Sequence, residues 1–309
     1  MNIQPTVSVV IVNYCSGHYA KACIESLLKQ EDVFLEIIVV DNNSADDSVS
    51  VLQQAFSNQI KLITSSENLG FGRANNLAAN QATSEYLLLL NPDTEIGHTK
   101  AIVNLVEFLN MDSTYGVAGP AIFEAKRAGG NGRYVKIHSQ YPAQNKLKNK
   151  KKFIGLPGEI AWLLGACLLF RRQVFESVGG FDADYFLYGE DADIGLRIRQ
   201  HGFKIGYCKS VEIKHIAGTS EIGATSFDKW LRKKRGLYLF FSKHYFQSDV
   251  INICLSAKRY LIFSRLTQQF ILLFNPGCNK SQEKFSKAKA ELVVIDEVLN
   301  IIKSKQRIN

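Results

Sequence analysis

The run Tyr86–Leu90 contains five apolar residues without a polar interruption and leads directly into Asn91, Pro92 and Asp93. Such an unbroken apolar run predicts a strand that is buried on both faces, as in parallel sheets. Pro92 cannot donate to a strand ladder, so the strand has to end there. Asp93 is therefore predicted at the carboxyl end of a central strand, where open α/β sheets bind ligands. A carboxylate there suits Mg²⁺ or Mn²⁺ carrying a diphosphate.

The chain before Asp93 alternates between strand patterns and helix patterns. Strands are predicted at Thr6–Asn13, Glu36–Val40, Ile60–Thr64 and Tyr86–Leu90, and helices at His18–Gln30 and Gly72–Gln81. Short connections between alternating strands and helices favour a parallel, doubly wound sheet. Ser44 and Asp46 are predicted to cap the helix that follows Asp41.

The alternation stops at residues 120–160, which are rich in Gly, Lys and Asn and predict a long, mobile connection. An apolar stretch follows at Glu159–Arg171, and a helix is predicted to begin at Glu190 and to stop at Gly202. Two further segments, Lys204–Tyr207 and Val211–His215, resemble strands.

From Phe227 onward the chain is predicted to be helical, aromatic and basic, ending in an amphipathic helix over 280–305. We therefore expect an α/β domain over residues 1–226 and a helical extension over 227–309. The α/β domain would have one half at about 1–119 and a second half at about 155–226.

The net charge of +8 concentrates in runs such as Lys146–Lys152 and Arg232–Arg235. Such basic runs are expected to form solvated faces, and an anionic membrane surface is the alternative, because these runs flank aromatic and aliphatic segments. No recognition helix, zinc-finger or RNA-binding signature accompanies these runs, so we expect no nucleic acid partner. Trp230–Arg235 and Tyr238–Phe241 mix aromatic residues with cations, as helices on a membrane surface do. A dimer face or a domain-covering helix fits the same segments equally well.

The location of the protein is predicted from three features of the sequence. The six cysteines form no C-x-x-C pair, which favours free thiols in a reducing compartment. No signal-peptide pattern is seen, and no apolar run reaches the roughly 18 residues that span a bilayer. We therefore expect a cytoplasmic protein, with peripheral attachment to the inner face of the cytoplasmic membrane as a further expectation.

Two segments in the first half carry polar groups that suit a nucleotide. Asp41 ends the second strand, where an acid can bind a nucleoside, although a turn with a helix cap explains it equally well. Asn68 and Gly70 precede a predicted helix whose amino end favours phosphate, and Arg73 in its first turn adds a positive charge. A plain Gly-rich turn is the alternative, since the segment lacks the Gly-Lys-Ser/Thr ending of a phosphate-binding loop.

The second half carries an acidic cluster and a histidine. Glu190, Asp191 and Asp193 open a helix, where acids often only complement the helix dipole. Their mutual repulsion raises a carboxyl pKa, however, and such a group can act as a general base. His215 lies late in a strand-like run and is either a ligand of a metal or diphosphate or a structural histidine.

Taken in order, these segments resemble bacterial glycosyltransferase family 2, of GT-A fold, and especially its rhamnosyltransferase-like branch, which builds cell-surface polysaccharides and lipopolysaccharide. The resemblance covers residue 6 to about 220. It is carried by Val7–Tyr14, Val39–Ser44, Asn68–Gly72, Asn91–Asp93, Gly165-Ala166, Gly179–Asp182, Glu190–Asp193 and His215.

The resemblance implies a Rossmann-like, mostly parallel sheet flanked by helices and an inverting transfer from a nucleotide-activated sugar. It implies that donor-binding residues are Asn13, Asp41, Asn43, Asn68, Gly70 and Arg73. Asp93 matches the last acid of the metal motif and His215 a position that completes the metal shell in relatives. Asn91 and Pro92 replace the other residues of a full Asp-x-Asp, which leaves one carboxylate for the divalent metal.

Asp191 matches the catalytic base of the family, which takes a proton from the acceptor hydroxyl. Glu190 and Asp193 are expected to position the acceptor or the base. Gly165 and Trp162 are assigned to the acceptor side, where the indole would stack on a sugar, although a tryptophan in an apolar run is more often core. The resemblance also implies a lipid-linked glycan acceptor.

Several functions stay open at this point. The first expectation for the donor is dTDP-L-rhamnose, with UDP-hexose or UDP-N-acetylhexosamine as the alternative. A non-catalytic subunit that binds nucleotide sugars would use the same fold. A nucleotidyltransferase would need a Gly-rich, cationic loop after the first strand, where Asn13–Gly17 has one glycine and no cation.

Overall fold

The computed structural model describes residues 4–125, 132–148, 152–216 and 223–308. The chain divides into two compact units. The sheet unit comprises Met1–Tyr141, Gly155–Phe186 and Glu190–Ser220. The helical unit comprises Pro142–Ile154, Leu187–Gly189 and Glu221–Asn309.

The first part of the sheet unit alternates strands and helices, as the sequence predicts. Its elements are β1 (Thr6–Asn13), α1 (Gly17–Leu27), β2 (Phe34–Asp41), α2 (Ser48–Phe56), β3 (Lys61–Thr64), α3 (Gly70–Ala79) and β4 (Tyr86–Leu90). The strands lie in the order β3-β2-β1-β4, and all of their pairings are parallel. The predicted α/β fold is thereby confirmed for this half.

The second part of the sheet unit adds strands of both directions. Its elements are β5 (Thr94–Glu95), α4 (Ala101–Asn110), β6 (Tyr115–Ala125), β7 (Arg133–Tyr134), β8 (Cys167–Arg171), α5 (Arg172–Ser177), α6 (Glu190–Gln200) and β9 (Lys204–Ile216). Among the described residues, one sheet runs β3-β2-β1-β4-β8-β6-β9-β5, with β7 on β6. Because β8 is antiparallel to both β4 and β6, the sheet is parallel in its first half and mixed in its second.

Both faces of the sheet are covered by helices, which explains the continuous apolar runs. All five residues of β4 are buried, and they divide between two cores. One core packs Leu88 and Leu90 with residues of α1 and α4. The other packs Leu87 and Leu89 with residues of α3, α5 and α6.

The predicted connection at residues 120–160 is wrong at its beginning, because residues 120–125 complete β6 and bury Ala121 and Ile122. The register between β6 and β9 shifts after Pro120, where partner Cys208 is followed by partner Glu212. A bulge of this kind accommodates a residue that cannot donate to the ladder. It also explains why β9 looks like two strands in the sequence. The parts of the connection at 126–131 and 149–151 lie outside the described residues.

The helical unit contains α7 (Ser226–His244), α8 (Gln247–Phe274) and α9 (Asn279–Ile308). Thr225 caps α7 by accepting a hydrogen bond from the Asp228 backbone. Tyr238, Phe240 and Phe241 are buried in this unit, so the expectation that Tyr238–Phe241 lies on a membrane surface is wrong. In the described part of the chain, no helix is both long and apolar enough to cross a bilayer.

Candidate active site

The carboxyl ends of β1 and β2 hold a buried polar pair. Asn13 and Asp41 are partners in the register of the two parallel strands. The Asn13 amide donates to Asp41 Oδ1 at 2.8 Å, and the Ser44 backbone N–H donates to Asp41 Oδ2 at 3.0 Å. Two donors therefore fix the orientation of this carboxylate.

Ser44 has a different role from the predicted helix cap. Its hydroxyl accepts from the Cys15 backbone N–H at 2.9 Å, and the Asn13 amide lies 3.2 Å away. The serine thus ties the turn after β1 to the turn after β2. The predicted cap at Asp46 is confirmed, because its Oδ1 accepts from the backbone N–H of Ser48, the first residue of α2, at 3.1 Å. Asn43 lies between these contacts, exposed and with a φ of 64°.

Asn42 is a residue that the sequence analysis missed. It is buried, and its side-chain amide donates to Asn68 Oδ1 at 3.0 Å and to the Gly70 carbonyl at 3.2 Å. Its carbonyl oxygen accepts from the Leu69 backbone N–H at 2.8 Å. One side chain therefore holds the turn after β2 against the Gly-rich segment. The available signal was its place beside Asp41 in a strand-end motif.

The Gly-rich segment turns sharply at Gly70. This residue has a φ of 77°, and a Cβ added to it would lie 2.3 Å from the Phe186 carbonyl oxygen. The same carbonyl accepts from the Phe71 backbone N–H at 2.8 Å. Only glycine combines this backbone conformation with such a close approach. Arg73, in the first turn of α3, is exposed and donates through Nε to the Ala183 carbonyl at 2.8 Å.

Asp93 and His215 form a second buried pair, at the carboxyl end of β4. Asp93 Oδ1 lies 3.2 Å from His215 Nε2. Short strand β5 brings them together, because Thr94 is the register partner of His215 in β9. Within the described residues, His215 Nδ1 and Asn91 Oδ1 are buried without a hydrogen-bond partner.

These donors fit a divalent metal that is shared with a substrate. A carboxylate and an imidazole side by side are both ligands for Mn²⁺, and the unsatisfied Asn91 side-chain oxygen is a third possible donor beside them. The described part of the chain has no cluster of three or more His, Cys, Asp or Glu side chains that could hold a metal. A cation bound mainly by substrate phosphates needs only one or two protein carboxylates.

Gly165 and Ala166 connect the segment that carries Asp93 to helix α6, which begins with Glu190 and Asp191. The Asn91 backbone N–H donates to the Ala166 carbonyl at 2.9 Å. A Cβ added to Gly165 would lie 3.8 Å from the Asp191 Cβ and from the Phe71 ring. The segments that carry Asp93, Gly70 and Asp191 thus converge on these two small residues.

Asp191 and Glu190 begin α6 in a setting that favours protonation. Burial is the main cause that raises the pKa of both carboxyl groups, and the charge of Asp191 raises the pKa of Glu190 further. The backbone groups of Ala192 and Gly165 act in the opposite direction at Asp191. A partly buried carboxylate with a raised pKa is a suitable general base.

Asp193 lies in the same helical turn as Glu190 and Asp191, but its carboxylate is paired with an arginine. It is 1% exposed and accepts from Arg197 Nε at 2.8 Å. Arg197 also donates to the carbonyls of Val178 and Gly180 at 2.6 and 2.7 Å. These contacts join α6 to the preceding turn, and the expected role of Asp193 in positioning the acceptor or the base stays a prediction.

Trp162 stacks on His138, which the sequence analysis also missed. The two rings lie 3.6 Å apart at an angle of 3°, and their backbones form an isolated β-bridge. Burial lowers the pKa of His138 and so favours its neutral imidazole. α6 packs on this segment at Gly195, where an added Cβ would lie 2.9 Å from the Ala161 carbonyl oxygen. No local pattern marks His138, because it lies in the predicted connection.

Comparison with protein families gives two overlapping matches. The model described as Glycosyl transferase family 2 matches residues 8–179, and the model described as Glycosyl transferase family group 2 matches residues 101–276.

Two curated relatives are rhamnosyltransferases by name. The N-acetylglucosaminyl-diphospho-decaprenol L-rhamnosyltransferase of Mycobacterium tuberculosis is 27% identical, over 67% of this chain and 75% of that protein. Rhamnosyltransferase WbbL of Escherichia coli K12 is 29% identical, over 68% of this chain and 83% of that protein.

A solved structure supports the fold. The mannosyltransferase PcManGT of Pyrobaculum calidifontis, in complex with GDP-Man and Mn²⁺, superposes with a TM-score of 0.56 and 18% identity. The alignment covers 98% of this chain and 76% of that one. At this identity the likeness shows the shared GT-A architecture and no more.

Proposed function

The chain belongs to glycosyl transferase family 2, and from this premise we propose that it moves a sugar, with inversion, from a nucleotide diphosphate to an acceptor hydroxyl. The observation that carries the proposal is Asp191, a partly buried carboxylate of raised pKa at the start of α6. It contacts Gly165, whose neighbour Ala166 pairs with the segment bearing Asp93.

The reaction is a single displacement at the anomeric carbon. Asp191 takes the proton of the acceptor hydroxyl while that oxygen forms a bond to the anomeric carbon. The bond from this carbon to the diphosphate oxygen breaks on the opposite face, and the nucleoside diphosphate leaves. One displacement inverts the configuration, in the same way that inverting glycosidases use water.

The donor would lie across the strand ends of the sheet unit. Asn13, Asp41 and Asn43 are assigned to the nucleoside, and Asn68, Gly70 and Arg73 to the ribose and diphosphate. Asn42 supports both groups through its hydrogen bonds to Asn68 and Gly70. We propose dTDP-L-rhamnose as the donor, because two relatives are rhamnosyltransferases by name. UDP-hexose and UDP-N-acetylhexosamine are the alternatives.

Asp93 and His215 would hold the divalent metal, Mg²⁺ or Mn²⁺, with Asn91 beside them. When bound, such a cation stabilises the negative charge on the leaving diphosphate. Arg73 is assigned to the same diphosphate, where its positive charge would complement the negative charge of the leaving group.

The acceptor is proposed to be a lipid-linked glycan of cell-surface polysaccharide or lipopolysaccharide synthesis. The Mycobacterium tuberculosis relative is named for an acceptor that carries a diphosphate and a polyprenol. Gly165 and Glu190 lie beside the proposed base, and the stacked pair Trp162–His138 offers an aromatic surface to a sugar ring. Synthesis from nucleotide sugars would place the protein in the cytoplasm.

The proposal is tested by measuring nucleoside diphosphate release from dTDP- and UDP-sugars, with Mn²⁺, Mg²⁺ or EDTA and with a polyprenyl-diphosphate glycan as acceptor. We expect one donor to turn over and EDTA to suppress the release. Asp191→Asn should lower kcat by about 100-fold or more, because loss of a general base costs that much. Thermal stability and donor binding should be retained.

The matched control is Asp32→Asn. Asp32 is exposed, has a φ of 58° that Asn also adopts, and precedes β2 at its amino end, away from the strand ends that carry the site. The Asp32→Asn variant should release nucleoside diphosphate at the same rate as the unaltered protein. Full activity of Asp191→Asn would overturn the mechanism. Donor binding without release, with acceptor present and with every donor, would instead indicate a non-catalytic subunit.

A further inference from the structure

The long helix α8 exposes a row of large apolar side chains. Their positions are one, three, four or seven residues apart, and at 3.6 residues per turn these spacings place them on one face of the helix. The members of this outer face are Leu255, Ile262, Phe263, Leu266, Phe270, Leu273 and Phe274, which are 41–77% exposed. With about 1.5 Å of rise per residue, the face extends over about 28 Å.

The opposite face of α8 is buried within the helical unit. Val250, Ile253, Cys254 and Leu261 lie there, and the helix packs mainly against α9. Because α8 is buried on one side only among the described residues, its outer face is suited to another apolar surface.

The charge of the helical unit indicates which of two partners, a second copy of this unit or an anionic surface, fits the outer face of α8. Within the bounds of that unit the sequence has 21 Lys and Arg residues against 7 Asp and Glu residues. The sheet unit has 16 against 22. A second copy of the helical unit would therefore bring like charges together, whereas an anionic surface would attract it.

The composition of the outer face fits the boundary between lipid headgroups and acyl chains. Aromatic and aliphatic side chains lie at its centre, Arg259 is exposed among them, and Lys258 and Arg265 lie along its border. This arrangement is typical of helices that lie in the plane of a membrane. These three cations also interrupt the apolar run, in keeping with the finding that no described helix could cross a bilayer.

We propose that the outer face of α8 binds an anionic membrane surface, with its apolar side chains inserted between the headgroups. The inference rests on the proposed function in one respect, since a lipid-linked acceptor would be found at that surface. It replaces the earlier expectation for Tyr238–Phe241, whose aromatic rings lie in the core of the helical unit.

The test is co-sedimentation of the full-length protein with vesicles, in the absence of donor and acceptor. We expect binding to vesicles of phosphatidylcholine mixed with phosphatidylglycerol and much weaker binding to phosphatidylcholine alone. The double variant Phe263→Ser/Phe270→Ser should bind the mixed vesicles at least about tenfold more weakly. Arg259→Gln should lower binding to the mixed vesicles by about fivefold and leave binding to phosphatidylcholine unchanged.

The matched control is Phe34→Ser, because Phe34 and Phe270 are both 62% exposed but Phe34 lies in the sheet unit. It should bind like the unaltered protein. Phe270→Trp gives a second measurement, because its fluorescence should be quenched by lipids with brominated acyl chains beyond the level seen in the unaltered protein.

Three results would overturn the inference. These are no binding to the mixed vesicles, equal binding by the double variant, or a dimer in solution that the double variant dissociates without any vesicle binding. Nucleoside diphosphate release is measured separately on the same proteins. Release of nucleoside diphosphate without vesicle binding would refute the membrane-binding inference and leave the proposed function intact. Vesicle binding without release from any donor would refute the proposed function and leave the membrane-binding inference intact.

Discussion

Three acids in the first turn of α6 have distinct environments although they are separated by at most three positions. Asp193 is paired with Arg197 and buried. Glu190 is buried as well, but its Oε2 has no hydrogen-bond partner among the described residues. Asp191 is stabilised in its charged form only by nearby backbone groups. Similar side chains thus lie in different surroundings, which allows them to have different roles.

The raised pKa of Asp191 predicts the acid side of the pH–rate profile. A general base is active only when it is deprotonated, so kcat/KM should fall as the pH drops through this raised pKa. The decline should therefore lie above the ordinary range of an aspartate, which centres near a pKa of about 3.9. Initial rates across pH at low donor concentration give the profile. A flat profile down to that ordinary range would contradict the role of Asp191.

The raised pKa of Glu190 predicts a gain in stability for Glu190→Gln that depends on pH. Because burial raises the pKa of this carboxyl in the folded state, the folded protein binds its proton more tightly than the unfolded chain. The free energy of unfolding therefore falls as the pH rises through the raised pKa. The neutral amide of Glu190→Gln removes this loss. The free energy of unfolding of the variant should therefore exceed that of the unaltered protein by at least about 1 kcal/mol at pH 8 and by little at pH 5.

Denaturant titrations at both pH values measure the effect of Glu190→Gln on the free energy of unfolding. Glu176→Gln is the control, since Glu176 is exposed and paired with Arg172 on α5. An equal change in the free energy of unfolding at both pH values, or a decrease at pH 8, would contradict a raised pKa for Glu190.

At the level of elements, the beginning of α3 depends on one glycine. Gly70→Ala would place a methyl group 2.3 Å from the Phe186 carbonyl in a backbone region that alanine disfavours. We expect a loss of about 1–3 kcal/mol in the free energy of unfolding and weaker binding of the nucleotide. Urea titration and nucleotide titration measure the two effects.

Gly97→Ala provides the control for Gly70→Ala, because nothing lies within 4 Å of the added methyl group and the backbone is ordinary there. It should leave the free energy of unfolding and nucleotide affinity unchanged. If Gly70→Ala behaved in the same way, the turn would not depend on the contact with Phe186.

At the level of the whole molecule, the residues of the proposed donor site and the excess positive charge lie in different units of the chain. The sheet unit carries the strand ends with Asn13, Asp41 and Asp93, and the helical unit carries most of the lysines and arginines. Two kinds of ligand should therefore affect two different sets of residues.

Hydrogen exchange measured by mass spectrometry tests this separation. dTDP with Mn²⁺ should slow exchange at the turns after β1 and β2 and at Asn68–Arg73, because binding stabilises the states that hold the ligand. Anionic vesicles should slow exchange in α8. Protection by the nucleotide that is confined to α8, or by vesicles that is confined to the strand ends, would contradict the separation.

Local patterns in the sequence were sufficient to determine much of the sheet and one helix. β1 and β4 begin and end where their apolar runs do, and α6 begins at its acidic cluster. The ends of these elements place Asn13, Asp93 and Asp191, and the end of β2 places Asp41. The sequence predicts these ends because the period of the side chains and the breaker residues act over a few positions only. The resemblance to glycosyltransferase family 2 rests on these segments and is confirmed.

Only the tertiary structure decided which of these residues have partners and which surfaces stay open. The insertion of antiparallel β8 beside β4 brings Ala166 to Asn91, and it is the folded chain that pairs Asn42 with Asn68 and His138 with Trp162. It also buries Tyr238 while it exposes Phe263 and Phe270. Such contacts join residues that are far apart along the chain, and the periodicity of a single segment carries no information about what packs against it.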